Sequence, residues 1–342
     1  MSETAAPLLE AEGLKCHFDV SPPLLDRLIE GRAHQVVRAV DGVSFHIDKG
    51  TTFGLVGESG CGKSTLARLV VGLYRPNAGA IRFEGVDLAA PSARTGAASP
   101  QARMQMIFQN PYASLNPRWR VGEIIAEPLR FRKLVRGGAR IAARVAELLR
   151  QVGLSPADAQ RYPHEFSGGQ RQRISIARAL AGEPDFLVCD EPTSALDVSV
   201  QAQILNLMKD LQRRLGLTYL FISHNLAVVY HVSDTVGVMY LGRLVEWADT
   251  ESLFRHPQHP YTRMLLDAIP DLALTGRART PVAGEVPSPL SPPSGCAFHP
   301  RCPFATARCR AEVPQDTKVA GGAVACHAVA EGRLPPWKPS GS

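Results

Sequence analysis

The sequence predicts an α/β protein built around a phosphate-binding loop. Residues 57–65 read Gly-Glu-Ser-Gly-Cys-Gly-Lys-Ser-Thr and match the pattern G-x-x-x-x-G-K-[ST]. A short apolar run of strand type, Thr52 to Val56, precedes this stretch, and a segment with helical spacing, Leu66 to Leu73, follows it. A strand, a loop and a helix in this order are the context that the pattern requires, so we predict nucleotide binding here.

The chemistry of the loop follows from its residue types. Its glycines let successive backbone N–H groups turn toward the phosphates, and the helix N-terminus adds the positive end of its dipole. Lys63 would reach the β and γ phosphates, and the hydroxyl of Ser64 would hold Mg²⁺. A chance glycine-rich turn is the alternative, and the flanking strand and helix disfavour it. The predicted nucleotide-binding residues of the loop are Gly57, Glu58, Ser59, Gly60, Cys61, Gly62, Lys63, Ser64 and Thr65.

The composition limits the class of protein. The 342 residues, of which 45% are hydrophobic, suffice for a full core in one large domain or two. No run approaches the ~18 apolar residues of a membrane span, and no secretory signal opens the chain, so we expect a cytoplasmic protein. The net charge of +6 is spread out, which favours an anionic ligand or membrane surface over nucleic acid. Seven cysteines in a cytosolic chain favour free thiols or a metal site over disulfides.

A β-layer is predicted ahead of the loop. Leu14 to Phe18 and Val43 to Ile47 alternate between apolar and polar residues, and a proline-containing, charged insert from Ser21 to Gln35 separates them. Phe18 is either a core residue or an aromatic that stacks on a ligand. From the residues alone the core interpretation is favoured.

The segment after the loop helix contains two further predicted strands. Ala80 to Gly85 is one, and a polar surface connection runs from it to Gln101; Met104 to Gln109 is the other. Gln109 either joins Mg²⁺ and the attacking water or only caps its strand. Asn110 to Pro117 contains two prolines, and we expect no regular element there.

A helical subdomain is predicted over about residues 111–182, because apolar residues recur at helical spacing from Val121 to Gly153. It closes on Ser167-Gly168-Gly169-Gln170, which precedes a helix running to Ala181. Ser167 is a predicted N-cap, and the glycines allow backbone N–H groups to approach an anion. The segment is either a second phosphate-binding helix start or an ordinary capped helix.

Two later strands end in polar residues. Phe186 to Asp190 is a continuous apolar run, typical of a buried parallel strand whose carboxyl end faces a ligand. Asp190 would reach Mg²⁺ through its water shell, and Glu191 would orient or deprotonate the water that attacks the γ phosphate. Thr218 to Ser223 delivers His224 to the same edge. A lone histidine at a strand end is usually structural, but this position favours a γ-phosphate contact.

Taken together, these motifs resemble the full set of an ATP-binding-cassette (ABC) transporter ATPase over residues 8 to about 255. The set consists of the phosphate loop, Gln109, Ser167 to Gln170, Asp190-Glu191, Ser194 to Asp197 and His224. The resemblance implies a P-loop NTPase fold with a RecA-like core, an antiparallel β-layer and a helical subdomain. It also implies ATP as the substrate and Mg²⁺ as the cofactor, held by Ser64, Gln109 and Asp190.

The same resemblance assigns roles to residues that the pattern leaves open. Phe18 would stack on adenine, and Glu191 and His224 would be catalytic. The residues that would act on the ATP of a partner cassette are Ser167, Gly168, Gly169, Gln170 and Asp197. Asn225 departs from the family, in which Asp usually follows the histidine.

Residues 108–117, 197–203 and 259–262, with the tail from about Pro287, are similar to the oligopeptide/dipeptide importer subfamily, most of all to the second ATPase of the dipeptide importer. This similarity implies an ABC ATPase domain at 8–258 and a transporter C-terminal region at 259–335. It implies an importer ATPase at the cytoplasmic face of the bacterial inner membrane. The implied partners are a second related ATPase, two transmembrane permease subunits and an extracytoplasmic substrate-binding protein.

The function has alternatives in other classes. Nickel, glutathione and opine importers share these motifs, so the peptide cargo follows less directly than the family. A soluble ABC ATPase acting on ribosomes or DNA is disfavoured by a single phosphate loop and the absence of a heptad run. A nucleotide-binding regulator without turnover is disfavoured by the presence of both Glu191 and His224.

The tail holds Cys296, Cys302, Cys309 and Cys326, spaced C-x₅-C-x₆-C-x₁₆-C. This stretch is loop-rich, and we expect it to be too short and proline-rich to build its own core, so it needs a staple. The residues alone leave four-thiolate zinc, an iron–sulfur cluster or four unligated thiols. The resemblance to peptide-importer tails favours a [4Fe–4S] cluster on these four cysteines.

Overall fold

The computed structural model describes residues 6–21, 35–90, 99–268 and 284–337. The strands of this part are, in chain order, β1 Leu9–Asp19, β2 Val36–Ile47, β3 Thr52–Val56, β4 Ala78–Phe83, β5 Val86–Asp87, β6 Met104–Ile107, β7 Phe186–Asp190, β8 Thr218–Ile222, β9 Thr235–Tyr240, β10 Arg243–Asp249, β11 Asp316–Val319 and β12 Gly322–Ala325. Its α-helices are α1 Lys63–Val70, α2 Pro111–Ser114, α3 Val121–Phe131, α4 Gly138–Gln151, α5 Gly168–Ala181, α6 Val198–Leu215, α7 Leu226–Val232, α8 Thr250–Arg255, α9 Pro260–Asp267, α10 Ala307–Ala311 and α11 His327–Ala330. Short 3₁₀ turns lie at Pro100–Arg103, Pro156–Gln160, Pro163–Glu165 and His299–Arg301.

The strands form an eight-stranded sheet in the order β11-β12-β10-β9-β3-β8-β7-β6 and a four-stranded sheet in the order β2-β1-β4-β5. In the larger sheet, β9, β3, β8, β7 and β6 pair in parallel. Every residue of β3, β7 and β8 is buried, as in a parallel sheet covered on both faces. The predicted α/β class is confirmed, and the strand predicted at Thr52 to Val56 has those bounds in the structure.

The smaller sheet is the predicted β-layer. Its β1 and β2 pair antiparallel from Leu9 opposite Ile47 to Asp19 opposite Val36, so both strands extend well beyond the predicted segments. Buried side chains of β1 and β2 share a core with Phe53 and Leu55 of β3. The layer therefore packs directly on the sheet that carries the phosphate loop.

A second core joins α3, α4 and α5 into the helical subdomain, with Leu129, Leu148, Leu149 and Ile174 fully buried. The prediction that Asn110 to Pro117 holds no regular element was wrong, because α2 lies within it. Its proline occupies the first helical position, where no N–H donor is needed. The side chain of Asn110 caps this helix by accepting from the N–H groups of Tyr112 and Ala113.

The tail is more structured than expected. Strand β12 pairs antiparallel with β10, and β11 pairs with β12, so the tail extends the main sheet. Phe298 is buried against the rings of Tyr240 and Tyr261. The tail shares a core with β9 and α9, and only a small second cluster, around Val324, belongs to the tail itself.

Two predicted connections cannot be compared with the structure in full. The insert from Ser21 to Gln35 lies outside the described residues except at its two ends, and so do residues 91–98 of the connection to Gln101. Among the helices of the described part, none has both the length and the apolar character needed to cross a membrane.

Candidate active site

Four strand ends meet at one edge of the main sheet. Because β3, β8, β7 and β6 run in parallel, the residues that follow them come together at their carboxyl ends. The phosphate loop follows β3, His224 follows β8, Glu191 follows β7 and Gln109 follows β6. The sequence placed these groups on one edge, and the structure does the same.

The phosphate loop has backbone conformations that only glycine adopts without strain. Gly57 has φ 153° and Gly62 has φ 107°. A Cβ at Gly57 would collide with the carbonyl oxygen of Met239 in β9, and one at Gly62 would collide with that of Ala39 in β2. Neighbouring strands therefore fix the loop from both sides. Ser59 and Gly60 form its exposed turn, and Thr65 lies in the first turn of α1.

Lys63 is the first residue of α1, and its side chain is buried. Its Nζ donates to the carbonyl oxygens of Gly57 at 2.7 Å and Glu58 at 2.9 Å. Cys61 Sγ lies 3.7 Å from the same nitrogen, and burial raises the pKa of this thiol. The ammonium is thus held at the centre of the loop, where phosphate oxygens would bind.

Ser64 and Asp190 form an oxygen pair beside the loop. The hydroxyl of Ser64 donates to Asp190 Oδ1 at 3.0 Å. Asp190 is only 4% exposed, and this burial raises the pKa of its carboxyl group, partly offset by the bond from Ser64. Hydroxyl and carboxylate oxygens are the hard ligands that Mg²⁺ prefers, so this pair fits the predicted cofactor.

Glu191 is the centre of a second polar group. Its Oε2 accepts from Gln109 Nε2 at 3.1 Å and lies 3.1 Å from His224 Nδ1. The backbone of Glu191 has φ 47°, a left-handed conformation that is unusual for a residue with a side chain and is typical of functional sites. The amide of Gln109 therefore contacts Glu191, and its predicted contact with Mg²⁺ stays a prediction.

Phe18 lies near the end of β1 and is half-buried. Its ring packs edge-on against Tyr74, with centroids 5.4 Å apart, and the guanidinium of Arg68 lies over the ring of Tyr74. The two rings form a partly exposed aromatic surface beside the end of the phosphate-loop helix. This position is compatible with both interpretations of Phe18, as core and as adenine platform.

The Ser167 to Gln170 segment begins α5 as predicted. Ser167 Oγ accepts from the Gln170 N–H at 3.3 Å, and Gln170 Oε1 accepts from the Ser167 N–H at 3.0 Å, which together form a capping box. Ser167, Gly168 and Gln170 are exposed, whereas Gly169 is buried. An anion could therefore reach the N-terminus of this helix from solvent.

Asp197 lies beside this helix start. It caps α6 by accepting from the Val200 N–H at 2.9 Å, and these backbone bonds lower the pKa of its carboxyl group. A Cβ at Gly169 would collide with the side chain of Val200. A Cβ at Gly168 would lie 3.4 Å from the side chain of Leu196, which is an ordinary van der Waals contact. Two helix N-termini, those of α5 and α6, thus lie next to each other on the surface.

Asn225 follows His224 where the family usually has Asp. Its Oδ1 accepts from the Ala227 N–H at 3.0 Å and from the Val228 N–H at 3.4 Å, so it caps α7. Asparagine is as good an N-cap as aspartate, and the substitution therefore leaves the local fold intact.

The four tail cysteines lie in one region. Burial raises the pKa of Cys296 and of Cys302 to about 11, and neighbouring cysteines add to the shift. Among the residues that the structure describes, however, no three Cys, His, Asp or Glu side chains are grouped so that they could hold a metal ion. The geometry therefore does not support the predicted tail metal site. The premise of that prediction, a tail that needs a staple, was also wrong, since β12 and Phe298 anchor it.

Sequence reasoning gave no role to two residues that contact the phosphate loop. Tyr261 Oη accepts from the Glu58 N–H at 2.9 Å, and Arg301 donates to both carboxylate oxygens of Glu58 at 2.7 and 2.9 Å. Both residues lie in stretches that the sequence marked only as similar to a subfamily. The only signal was that a tyrosine and an arginine stand among apolar residues. The contact of Arg301 with Glu58 joins residues 243 positions apart, and no local sequence pattern indicates such a contact.

Comparisons with known proteins agree with this geometry. Residues 40–194 match the family described as ABC transporter, and residues 245–309 match the oligopeptide/dipeptide transporter C-terminal region. The chain is 52% identical to the putative oligopeptide transport ATP-binding protein YkfD of Bacillus subtilis over 94% of this chain and 95% of that protein. It is 49% identical to the di/tripeptide transport ATP-binding protein DppF of Pseudomonas aeruginosa over 94% and 97%, respectively.

A solved structure of another protein has a similar fold. The chain resembles cbiO1 of Clostridium perfringens, described as part of the ABC transporter complex cbiONQ, with a TM-score of 0.60 and 26% identity over 72% of this chain and 90% of that one. The fold and the site define a P-loop ATPase of the ATP-binding-cassette class. The chain belongs to the ABC transporter ATP-binding proteins that carry the oligopeptide/dipeptide transporter C-terminal region.

Proposed function

We propose that this protein is the ATP-hydrolysing subunit of a bacterial importer of dipeptides or oligopeptides. The observation that carries the proposal is that its similarity to ATP-binding proteins of peptide transport runs through 94% of the chain, including the C-terminal region. The phosphate loop, Glu191 and His224, which meet at one edge of the main sheet, support the proposed hydrolysis of ATP. We place the ATPase domain at 8–258, with a helical subdomain at about 111–182, and the C-terminal region at 259–335.

The roles proposed for the site residues are supported by their positions. The loop N–H groups and the ammonium of Lys63 bind the phosphates of ATP and offset their charge. Mg²⁺, when held by Ser64, Asp190 and Gln109, supplies further charge neutralisation on the β and γ phosphates. Phe18 is proposed to stack on the adenine ring.

Glu191 is proposed to accept a proton from the attacking water, or to orient it. The hydrogen bond from Gln109 and the contact with His224 hold its carboxylate at the strand end that faces the γ phosphate. His224, whose side chain is 59% exposed, is free to contact the γ phosphate from the next strand along.

We further propose that two cassettes close head to tail around ATP. What supports this is that one chain has two exposed anion-binding helix starts, at the phosphate loop and at Ser167 to Gln170, on different subdomains. In this arrangement Ser167, Gly168, Gly169, Gln170 and Asp197 act on ATP held by the loop of a second, related ATPase. Closure of the pair would then drive the transport cycle.

A cross-link tests this arrangement. Gly168→Cys should cross-link to a cysteine in the phosphate loop of the partner only when ATP is present, and the space beside Gly168 tolerates the new side chain. Gly169→Cys is the matched control, because Val200 blocks that position and the variant should not cross-link. An ATP-independent or absent cross-link at position 168 would contradict the head-to-tail pair.

The permease subunits are proposed to dock near Gln109 to Pro117. A groove of about 240 Å³ lies there between the sheet and the helical subdomain, lined by Leu73, Phe108 and Arg178 among others. Leu73, Phe108 and Tyr112 are exposed apolar residues at this junction. Docking on two permease subunits would place the protein at the cytoplasmic face of the inner membrane, and an extracytoplasmic binding protein would deliver the cargo to the permease subunits from the opposite side.

A [4Fe–4S] cluster on the four tail cysteines is a separate proposal, and the resemblance of the tail to the oligopeptide/dipeptide transporter C-terminal region is what supports it. A cubane cluster spreads its four thiolates farther apart than one ion does, and the other tail cysteines lie near enough to Cys296 and Cys302 to help raise the pKa of these two thiols. Anaerobic purification followed by iron and sulfide analysis decides the question. A colourless protein without iron removes the cluster and leaves the ATPase function intact.

Transport itself is tested by reconstitution. The complex of this protein with the second ATPase and the permease subunits in lipid vesicles, supplied with the binding protein and ATP, should take up a labelled dipeptide, and the Glu191→Gln complex should not. Uptake of nickel or glutathione in place of the dipeptide would favour those cargoes. If the protein copurifies with ribosomes or DNA and not with membrane proteins, the soluble class of ABC ATPase is correct.

A further inference from the structure

The C-terminal region reaches the phosphate loop through Arg301. The Arg301 guanidinium donates to Glu58 Oε2 at 2.7 Å and to Oε1 at 2.9 Å, a bidentate ion pair. The side chain of Arg301 is 2% exposed and that of Glu58 is 21% exposed. Arg301 also donates to the hydroxyl of Tyr240 at 3.3 Å, and its guanidinium lies near the rings of Tyr240 and Phe298. Separating this ion pair would leave the buried guanidinium without a partner, which is costly, so the pair holds Arg301 and Glu58 together.

The backbone of Glu58 is held from the same side. Its N–H donates to Tyr261 Oη at 2.9 Å, and Tyr261 is fully buried in the first turn of α9. The ring of Tyr261 packs on Tyr240 and Phe298. Below it, His259 Nδ1 accepts from the Tyr261 N–H at 3.0 Å, and Glu246 accepts from the N–H groups of Gln258 and His259. These bonds fix the position of the tyrosine hydroxyl.

The third polar group of Glu58 points into the nucleotide site. Its carbonyl oxygen accepts from Lys63 Nζ at 2.9 Å. Glu58 thus uses its side chain on Arg301, its N–H on Tyr261 and its carbonyl on the lysine that would pair with the phosphates. Any displacement of Arg301 or Tyr261 would move the carbonyl that orients Lys63.

We propose that Arg301 and Tyr261 are positioning residues of the phosphate loop, through which the C-terminal region sets the affinity of this ATPase for nucleotide. The proposal rests on the proposed ATPase function, because it assigns the region a role in ATP binding. Neither residue touches the nucleotide in this scheme; both act through Glu58. Loss of either contact should weaken nucleotide binding more than it slows the bound complex, since the loop holds the ground state and the transition state alike.

Two variants of the full chain test the proposal. Arg301→Met removes the ion pair while keeping an apolar stem, and Tyr261→Phe removes only the hydroxyl. Arg308→Met is the matched control, because Arg308 lies in the same region but pairs on the surface with Glu312 and Glu331. Titration calorimetry with ATP gives the dissociation constant, steady-state hydrolysis gives kcat, and thermal unfolding without nucleotide reports on the fold.

We expect Arg301→Met and Tyr261→Phe to raise the dissociation constant for ATP by about tenfold or more and to change kcat far less, whereas Arg308→Met binds ATP as the parent does. Arg301→Lys should give an intermediate constant, because lysine keeps the charge but not the bidentate geometry. Parental affinity in Tyr261→Phe and Arg301→Lys, both conservative enough to fold, would overturn the proposal even if Arg301→Met fails to fold.

A double-mutant cycle separates positioning from general stability. If Arg301 acts through the carboxylate of Glu58, adding Glu58→Gln to Arg301→Lys should weaken ATP binding by less than the product of the two single effects, because both changes disturb the same ion pair. Independent, multiplicative effects would contradict the proposal. A parent protein that binds no ATP would refute the proposed function itself, and that result differs from every outcome described for the variants.

Discussion

His224 Nδ1 lies 3.1 Å from Glu191 Oε2, although the two residues follow different strands, β8 and β7. The same carboxylate oxygen accepts from Gln109, which follows β6. Residues at three adjacent strand ends therefore meet at the carboxylate of Glu191, and the backbone of Glu191 has φ 47°. This convergence orients Glu191 before any substrate binds, and it is the basis of the first prediction.

Glu191→Gln should bind ATP with parental affinity but lose hydrolysis by a factor of about 10² or more, because an amide cannot accept the proton of the attacking water. Calorimetry and a phosphate-release assay measure the two quantities. Glu165→Gln is a suitable control, since that carboxylate lies on the exposed surface before α5. Turnover of Glu191→Gln at the parental rate would show that the water is activated elsewhere.

Lys63→Ala should lose ATP binding rather than turnover alone. The ammonium is held between the carbonyl oxygens of Gly57 and Glu58, where its charge meets the phosphates. Lys63 is the only lysine or arginine among residues 57–65, so removing its side chain leaves the loop without a buried positive charge. Lys209→Ala, a surface lysine bonded to the His231 carbonyl, serves as the control. Saturable ATP binding by Lys63→Ala near the parental concentration would contradict the assignment.

Asp190→Asn should stabilise the nucleotide-free protein while abolishing Mg²⁺-dependent hydrolysis. Burial raises the folded-state pKa of Asp190, so the folded state disfavours the charged form; the resulting loss of stability begins as the pH rises above the unfolded-state pKa and is complete above the folded-state pKa. The amide variant avoids the cost. Its gain in melting temperature should therefore be larger at about pH 8 than at about pH 4.5. A gain that is equal at both pH values would show that the carboxylate is not destabilising.

The stability of the protein should fall in mild acid because of His259. Burial lowers the pKa of this histidine to about 3, so between about 6.5 and 3 the unfolded chain binds a proton that the folded chain does not. The free energy of unfolding should then fall by about 1.4 kcal/mol per pH unit in that window. His259→Asn keeps an acceptor for the cap of α9 but lacks this titration.

Urea denaturation of the parent and of His259→Asn at about pH 7.5 and pH 5.5 measures this difference. The parent should lose more stability than the variant on going to the lower pH. Equal losses in the two proteins would assign the acid sensitivity to other groups.

Local sequence signals predicted much of the site. Thr52 to Val56 is a strand because five buried residues precede a glycine loop, and Ser167 is an N-cap because a serine before two glycines and a glutamine satisfies a helix start. Those signals lie within a few residues of the structure they specify. The roles of the site residues remain predictions, although the structure places Ser64 beside Asp190 and Glu191 between Gln109 and His224.

The parts that sequence reasoning did not find depend on distant contacts or on weak local patterns. The sequence analysis did not predict α2, because the two prolines suggested that no helix forms there. Pro111 is nevertheless compatible with a helix, since it occupies the first helical position. The hairpin of β11 and β12 is short and gains its stability from pairing with β10. The contact of Arg301 with Glu58 joins residues 243 positions apart, and no periodicity encodes such a pairing.

The pairing of β12 with β10 also protects the sheet from other chains. Glu246, Trp247 and Ala248 of β10 lie opposite Val324, Ala323 and Gly322, so their backbone groups on that side are occupied. A chain truncated before residue 284 would expose β10 as an open edge strand, a template for intermolecular β-pairing. Among the described strands the outermost on this side is instead β11, which is four residues long and carries Asp316 and Lys318, features that discourage such pairing. The C-terminal region therefore covers the edge of β10, and we expect its removal to make the protein more prone to aggregate.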